Sequence, residues 1–401
     1  MITERVLNRR TVIASSLLGS AALLLGTPTR ASASAADASG VTLTLPAPTG
    51  PHPVGRHELY LVDDSRPDPW NPAKFPVREL MLTLYYPAVA IGGTGPAPQL
   101  PSQVATVFGA LAPQGSEQGL PSSGVDWAAT VSHSYPDAPV LPGRRPVLLH
   151  SPAGGDPRGL GTTLAEELAS HGAVVVSVDH PGDAAAVQFP ATTAFRTSLV
   201  RRTVFRGDPR NDPSQYRTMI DTRIADLRFV LDQLAVAPSL PLPLPDGLAE
   251  TLDLRRVAAY GHSAGGSAVA ELLHDDRRVR AAVNLEGFLD YADGPLFPVA
   301  ADGTDRPLLL LGTDGASFRA QLDVSWSALL GRSGPRARRA QFAQANHYVF
   351  TDLAAMVPQL QADGLVTAAA RSGLVGAVAP EVSVPEVRRA VRRFLARHLA
   401  T

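Results

Sequence analysis

Gly261-His262-Ser263-Ala264-Gly265 sets a serine between small residues in the pattern G-x-S-x-G, a candidate nucleophile elbow. The apolar run Val257 to Tyr260 before it reads as a short buried strand, and Ala268 to His274 after it as a helix. Ser263 then falls on a strand-to-helix turn that exposes its hydroxyl at the carboxyl end of a strand. Only small neighbours avoid a clash in so sharp a turn, and Gly261, Ala264 and Gly265 supply them. A serine hydroxyl is a weak nucleophile near neutral pH. It needs a base to take its proton and a carboxylate to orient that base.

In elbows of this kind the acid and then the histidine follow the serine along the chain. His274, His347 and His398 do so. His274 closes the elbow helix and His398 lies in a terminal helix, both expected to face solvent. His347 sits in the turn Ala345-Asn346-His347-Tyr348 after the last expected strand, and is the expected base. Two carboxylates compete for the third place. Glu286 ends the strand Ala281 to Leu285, and Asp314 follows the strand Pro307 to Leu311, both on the sheet edge where such sites are built. Chain order alone favours Asp314, because the later strand is the commoner place for the acid; Asp290 and Asp293 lie further into a loop. A tetrahedral intermediate also needs two N–H donors, and Ala264, just after the nucleophile, supplies one by construction. The other must come from Ser151-Pro152-Ala153-Gly154-Gly155, where Pro152 has no N–H and Ala153 or Gly154 remains.

These residues need a sheet to hold them. Val54 to Val62 and Val77 to Tyr86 read as two strands that pair antiparallel at a sheet edge. Residues 92 to 145 are rich in Gly, Pro and Ser, with a helical stretch only at Val104 to Leu111, and read as a lid or loop layer. From Arg145 a strand, the helix Gly161 to His171 and the apolar strand Ala173 to Val178 make a βαβ unit of a buried parallel sheet. A long connection over 180–214 leads to a helix from Gln215 to Leu234, then the elbow. The strands Ala281 to Leu285, Pro307 to Leu311 and Ala340 to Ala343 follow, with a helix around Phe318 to Leu330 and a last helix from Pro385 to Leu399.

The net charge of −1, without blocks of like charge, gives nothing to hold a nucleic-acid backbone or an anionic bilayer. The chain has no cysteine, which removes thiol nucleophiles and thiolate metal sites. Asp179-His180-Pro181-Gly182-Asp183 gathers charged groups at a strand end, but its spacing matches no familiar metal-ligand set, and no phosphate loop for a dinucleotide follows the first strand. No cofactor or metal is expected. Asn8-Arg9-Arg10-Thr11, an apolar stretch through Leu25 and small residues at Ala31-Ser32-Ala33 and Ala33-Ser34-Ala35 resemble a twin-arginine signal peptide. Residues 1–35 are thus expected to direct secretion through the twin-arginine translocon, leaving no stable membrane span after cleavage. Residues 36–53 read as a linker and 54–401 as the folded domain.

Taken together, LLHSPAGG at 148–155, LASHGAVVVSVDHPGD at 168–183, GHSAGG at 261–266, AVNLEGF at 282–288 and NHYVFTDL at 346–353 resemble the platelet-activating-factor acetylhydrolase-like branch of the α/β-hydrolases. That branch includes secreted bacterial lipases and esterases, and the similarity spans most of residues 77 to 360. It implies an α/β fold with a mostly parallel central sheet, helices on both faces and a loop-rich lid segment. In this branch the acid follows the strand after the elbow unit, commonly as Asp in N-x-D-G. Glu286 holds that place in Asn284-Leu285-Glu286-Gly287, one methylene longer, so the resemblance selects Glu286 over Asp314. It also selects Ala153 as the second oxyanion donor and makes 179–183 a structural loop near the site mouth. The implied activity is hydrolysis of a lipid or small-molecule carboxylic ester by a Ser263-Glu286-His347 triad without a cofactor. Acyl transfer by the same triad and a non-catalytic binding protein on the same fold are the alternatives.

Overall fold

In the computed structural model, which describes residues 40–400 apart from 92, 94, 116 and 238–241, the apolar runs become strands of one sheet. In chain order the strands are β1 (Val54–Asp63), β2 (Arg78–Pro87), β3 (Ser134–Pro136), β4 (Arg145–Ser151), β5 (Val174–Asp179), β6 (Ala186–Gln188) and β7 (Val200–Arg202). They continue with β8 (Leu252–His262), β9 (Val279–Leu285), β10 (Leu308–Thr313) and β11 (Ala337–Phe342). Nine of these make the main sheet in the order β11-β10-β9-β8-β4-β5-β2-β1-β3, while β6 and β7 form a separate hairpin. The run from β5 to β11 is parallel throughout; β2 is antiparallel to both β5 and β1. The early antiparallel pair therefore stands near one edge as expected, with short β3 added outside β1.

Alternation along the parallel strands feeds two cores. Val147 and Leu149 of β4, Val257 and Ala259 of β8, and Leu308 and Leu310 of β10 face the helices Pro213–Val236, Ala264–Asp275 and Arg319–Ser333. Leu148, Ala258, Tyr260 and Leu309 face the helices Thr162–Ser170 and Pro380–Leu399 on the other side. Strands covered on both faces have no solvent side, which is why they read as unbroken apolar runs. Each fully covered Val or Leu contributes about 1.5–3 kcal/mol. The fold is α/β with helices on both faces, as expected.

Three features differ from the sequence expectation. Residues 40–53, expected as a linker, are packed onto the domain: Leu43 and Leu45 are buried, Thr49 Oγ1 donates to Glu167 at 2.8 Å, and Arg388 donates to the carbonyls of Pro46 and Ala47 at 2.8 Å each. A Pro- and Thr-rich segment has no period of its own, so its docking is carried by partners far along the chain. The segment 92–145, expected as a lid or loop layer, has a core: Leu100, Val104, Phe108 and Trp127 pack with Leu353, Met356 and Leu360 of the helix Leu353–Ala362. The last helix begins at Pro380, where a missing N–H costs nothing, and keeps Pro385 inside. The expected signal peptide lies outside the described residues. Among the described residues, no helix is long and apolar enough to cross a membrane.

Candidate active site

β8 ends at His262 and the next helix begins at Ala264, so Ser263 alone makes the turn, at φ 52° and ψ −121°. A non-glycine residue held at such angles stores about 1–3 kcal/mol of strain, which its surroundings must hold. The Ser263 N–H donates to the Leu285 carbonyl at 2.8 Å, and the Ser267 N–H donates to the Ser263 carbonyl at 3.0 Å. Close backbone approach explains the small neighbours. A Cβ on Gly265 would lie 2.0 Å from the Ser151 carbonyl oxygen, and one on Gly287 would lie 2.3 Å from that of Ser263.

Glu286 leaves β9 in the left-handed region, at φ 60°. Asn284 closes the turn around it: Oδ1 accepts from the Gly287 N–H at 2.6 Å, and Nδ2 donates to the Gly287 carbonyl at 3.0 Å. Trp326 Nε1 donates to the same carbonyl at 2.9 Å. The buried Glu286 carboxylate then divides its two oxygens. Oε1 accepts from Thr313 N at 2.5 Å and from Thr313 Oγ1 at 2.8 Å, while Oε2 lies 2.8 Å from His347 Nδ1. A carboxylate can only accept, so Nδ1 carries the proton and Nε2 of the neutral ring is left as an acceptor. Asp314 is exposed and turned elsewhere, accepting from the Gln344 and Ala345 N–H groups at 2.9 and 3.2 Å. It shapes the turn before His347, and Glu286 is the carboxylate on the imidazole.

The elbow reaches His347 through its own second residue. The His262 ring centroid is 4.4 Å from that of His347, and His262 Nε2–H donates to the His347 carbonyl at 3.0 Å. Burial first, and the His347 ring beside it second, push the His262 pKa well below its ordinary value, so the ring stays neutral. Phe318 meets His347 edge-on at 4.9 Å, and Phe288 lies 5.3 Å beyond Phe318. Ser263 and His347 are both partly exposed. His274 and His398 stand elsewhere, the first beside Asp275 and the second on Phe394.

Ala153 is buried, and among the described residues its N–H donates to no protein acceptor. Its carbonyl accepts from Arg223 Nη2 at 2.9 Å. Ala264 opens the elbow helix, so its N–H has no acceptor within that helix. A Cβ on Gly154 would come 3.5 Å from that of Ala264, which puts the loop against the elbow. The charged groups of 179–183 are each taken up by protein partners. Asp179 pairs with Arg158, His180 lies between Ser151 and Asp226, and Asp183 pairs with Arg223.

Some residues around the site escaped the sequence reading. Arg223 had a visible signal: it sits in the apolar row Met219, Arg223, Leu227 of a helix, where a charge is out of place. Thr313 and the buried carboxyl pair Glu117 and Asp156 had none. Asp156 follows the loop 151–155, Glu117 comes from the segment 92–145, and the two buried carboxyl groups act on each other electrostatically. Burial, then the Glu117 charge, raises the Asp156 pKa well above the carboxylate range, and burial raises that of Glu117.

No family model matches the chain. Over 327 residues it is 27% identical to a protein of Arthroderma benhamiae described as a probable 1-alkyl-2-acetylglycerophosphocholine esterase, covering 78% of this chain and 77% of that one. Over 288 residues it is 23% identical to a platelet-activating factor acetylhydrolase of Cavia porcellus, covering 66% of this chain and 60% of that one. The structure of a ferulic acid esterase from Streptomyces cinnamoneus matches with a TM-score of 0.70 at 29% identity, covering 89% of this chain and 93% of that one. The sheet order and the elbow give the chain an α/β-hydrolase fold, and the proteins it is similar to are esterases. It is a carboxylic-ester hydrolase.

Proposed function

We propose that the chain is an exported serine esterase in which Ser263, His347 and Glu286 act as nucleophile, base and orienting acid. The observation that carries this reading is the 2.8 Å contact between His347 Nδ1 and Glu286 Oε2, with the elbow serine next to His262, whose ring lies tilted against that of His347 at 4.4 Å. Ser263 Oγ attacks the ester carbonyl while His347 Nε2 takes its proton. The oxyanion is held by the N–H groups of Ala153 and Ala264, and the imidazolium is steadied by Glu286. Collapse expels the alcohol, which receives the proton from His347. Water then gives a proton to His347, attacks the acyl group and returns the serine. Half-buried Phe318 and Phe288 beside His347 offer an apolar wall for an uncharged acyl or alcohol portion. Relatives named for 1-alkyl-2-acetylglycerophosphocholine and for ferulic acid support a lipid or small-molecule ester as the substrate class. The Arg9-Arg10 leader is the address for export of the folded chain.

Ser263→Ala tests the site. The variant is expected to lose hydrolysis of p-nitrophenyl esters and stoichiometric fluorophosphonate labelling while melting like the parent, since a missing hydroxyl on a partly exposed turn barely alters packing. Continued labelling and turnover by the alanine variant would remove Ser263 from the mechanism.

A further inference from the structure

Arg223 is completely buried on the sheet-facing side of the helix Pro213–Val236. A guanidinium withdrawn from water costs several kcal/mol unless its donors are satisfied. Here they are spent on the loop 151–153 and on Asp183. Nε donates to Asp183 Oδ2 at 2.6 Å, Nη1 to the Pro152 carbonyl at 2.6 Å and to Ser151 Oγ at 3.0 Å, and Nη2 to the Ala153 carbonyl at 2.9 Å. Asp183 closes the ring by accepting the Gly155 N–H on its other oxygen at 2.9 Å.

Ser151 Oγ accepts a hydrogen bond from Arg223; because His180 Nδ1–H donates to Asp226 Oδ2 at 2.9 Å, His180 Nε2 accepts from the Ser151 hydroxyl at 3.0 Å. Serine, histidine and aspartate thus form a second relay with triad-like distances. All three are at most 1% exposed, so this hydroxyl meets no substrate. Burial, then the Arg223 charge, brings the His180 pKa down to about 4, keeping the ring neutral as that chain of donors requires. Arg78 of β2 holds the far end through both Asp226 oxygens, at 3.1 and 2.7 Å. The relay ties the loop to the sheet.

Peptide planarity turns this clamp into a device for the site. The Pro152 carbonyl and the Ala153 N–H belong to one trans peptide and point in opposite directions; the Ala153 carbonyl and the Gly154 N–H belong to the next. Fixing both carbonyls on Arg223 fixes the direction of both N–H groups, away from the guanidinium. A flipped Pro152–Ala153 peptide would remove the N–H donor and present a carbonyl in its place. We infer that Arg223 is a positioning residue that holds these two peptides in one orientation and so preforms the oxyanion site. The inference rests on the proposed role of the Ala153 N–H. It requires no contact between Arg223 and the substrate.

The test is Arg223→Lys, which keeps a cation beside Asp183 but cannot reach both carbonyls from one flat fork. Complete fluorophosphonate titration counts the folded, nucleophile-competent sites, and kcat is expressed per titrated site. The expected result is a fall in kcat per site of about 10²-fold with KM changed by less than about 3-fold, because the oxyanion forms only in the transition state. Affinity for a trifluoromethyl ketone should weaken in step. A lower melting temperature with kcat per site within about 3-fold of the parent overturns the inference, since a purely structural residue changes how many sites exist and not how fast each works. If Arg223→Lys gives no titratable sites, Asp183→Asn leaves the guanidinium in place and frees one of its anchors. About a tenfold loss of kcat per site is then expected, and an unchanged value overturns the inference equally. Labelling of the Ser263→Ala variant would instead count against the nucleophile, a result independent of either change.

Discussion

Two carboxylates stand within reach of the same stretch of chain, and their hydrogen bonds separate them. Glu286 gives one oxygen to Thr313 and the other to His347, so its orientation is set before any substrate arrives. Asp314 accepts two backbone N–H groups at the surface. Glu286→Gln replaces one of the two acceptor oxygens with an NH2 that can only donate, leaving the imidazole misoriented or in the wrong tautomer. A loss on the order of 10⁴ in kcat is expected. Asp314→Asn keeps the shape of its turn, and a loss of less than about 10-fold is expected. Both changes are nearly isosteric and remove one charge, so kcat for the pair with one good ester, beside thermal melts, is a direct comparison. A larger loss for Asp314→Asn would transfer the orienting role to the later strand.

At the scale of elements, the segment 92–145 meets the loop that follows β4 through Glu117 and Asp156. Asp156 faces Glu117, Asp183 and Arg223; Glu117 faces Asp156, Tyr348 and His347. Both pKa values are raised, so the folded state binds protons that the unfolded chain would release. That contribution is complete below the ordinary carboxylate range and is lost as pH rises through the raised folded values. Asp352, raised to about 7 by burial, acts in the same sense. Asp156→Asn keeps the side-chain shape without the ionisation, so its melting temperature should fall less than the parent's between about pH 5 and pH 9. Parallel pH profiles for the two proteins would show that the pair does not hold this joint.

At the scale of the described domain, residues 40–53 strap together parts that are distant along the chain. Leu43 and Leu45 enter the core shared by the segment 92–145 and the helix Leu353–Ala362, and Gln359 Nε2 donates to the Thr44 carbonyl at 2.8 Å. Cleavage near Ser34 or Ala36 would leave this strap whole. A chain without cysteine needs no oxidation outside the cell, which suits export after folding. Changing Arg9 and Arg10 together to Lys is therefore expected to retain the precursor in the cytoplasm, because the receptor reads the arginine pair and not its charge. Cell fractionation with an antibody to the mature domain measures this, and normal secretion of the double variant would refute the address.

The sequence by itself determined what depends on neighbours along the chain. The parallel strands are legible as apolar runs because both faces are covered, and the elbow because a sharp turn admits only small flanking residues. The chain order of serine, acid and histidine pointed to His347 as base and, taken alone, to Asp314 as acid, whereas the resemblance selected Glu286. Tertiary structure decided which carboxylate lies on that ring, since Glu286 and His347 are 61 residues apart and only the sheet brings them to 2.8 Å. The same holds for Arg223, 71 residues from the Pro152 carbonyl it grips, and for the strap, whose Arg388 partner is 341 residues from Ala47. Periodicity records which face of an element is buried. It carries no record of which buried polar groups from distant elements will meet, because hydrogen-bond geometry is settled only when the elements pack.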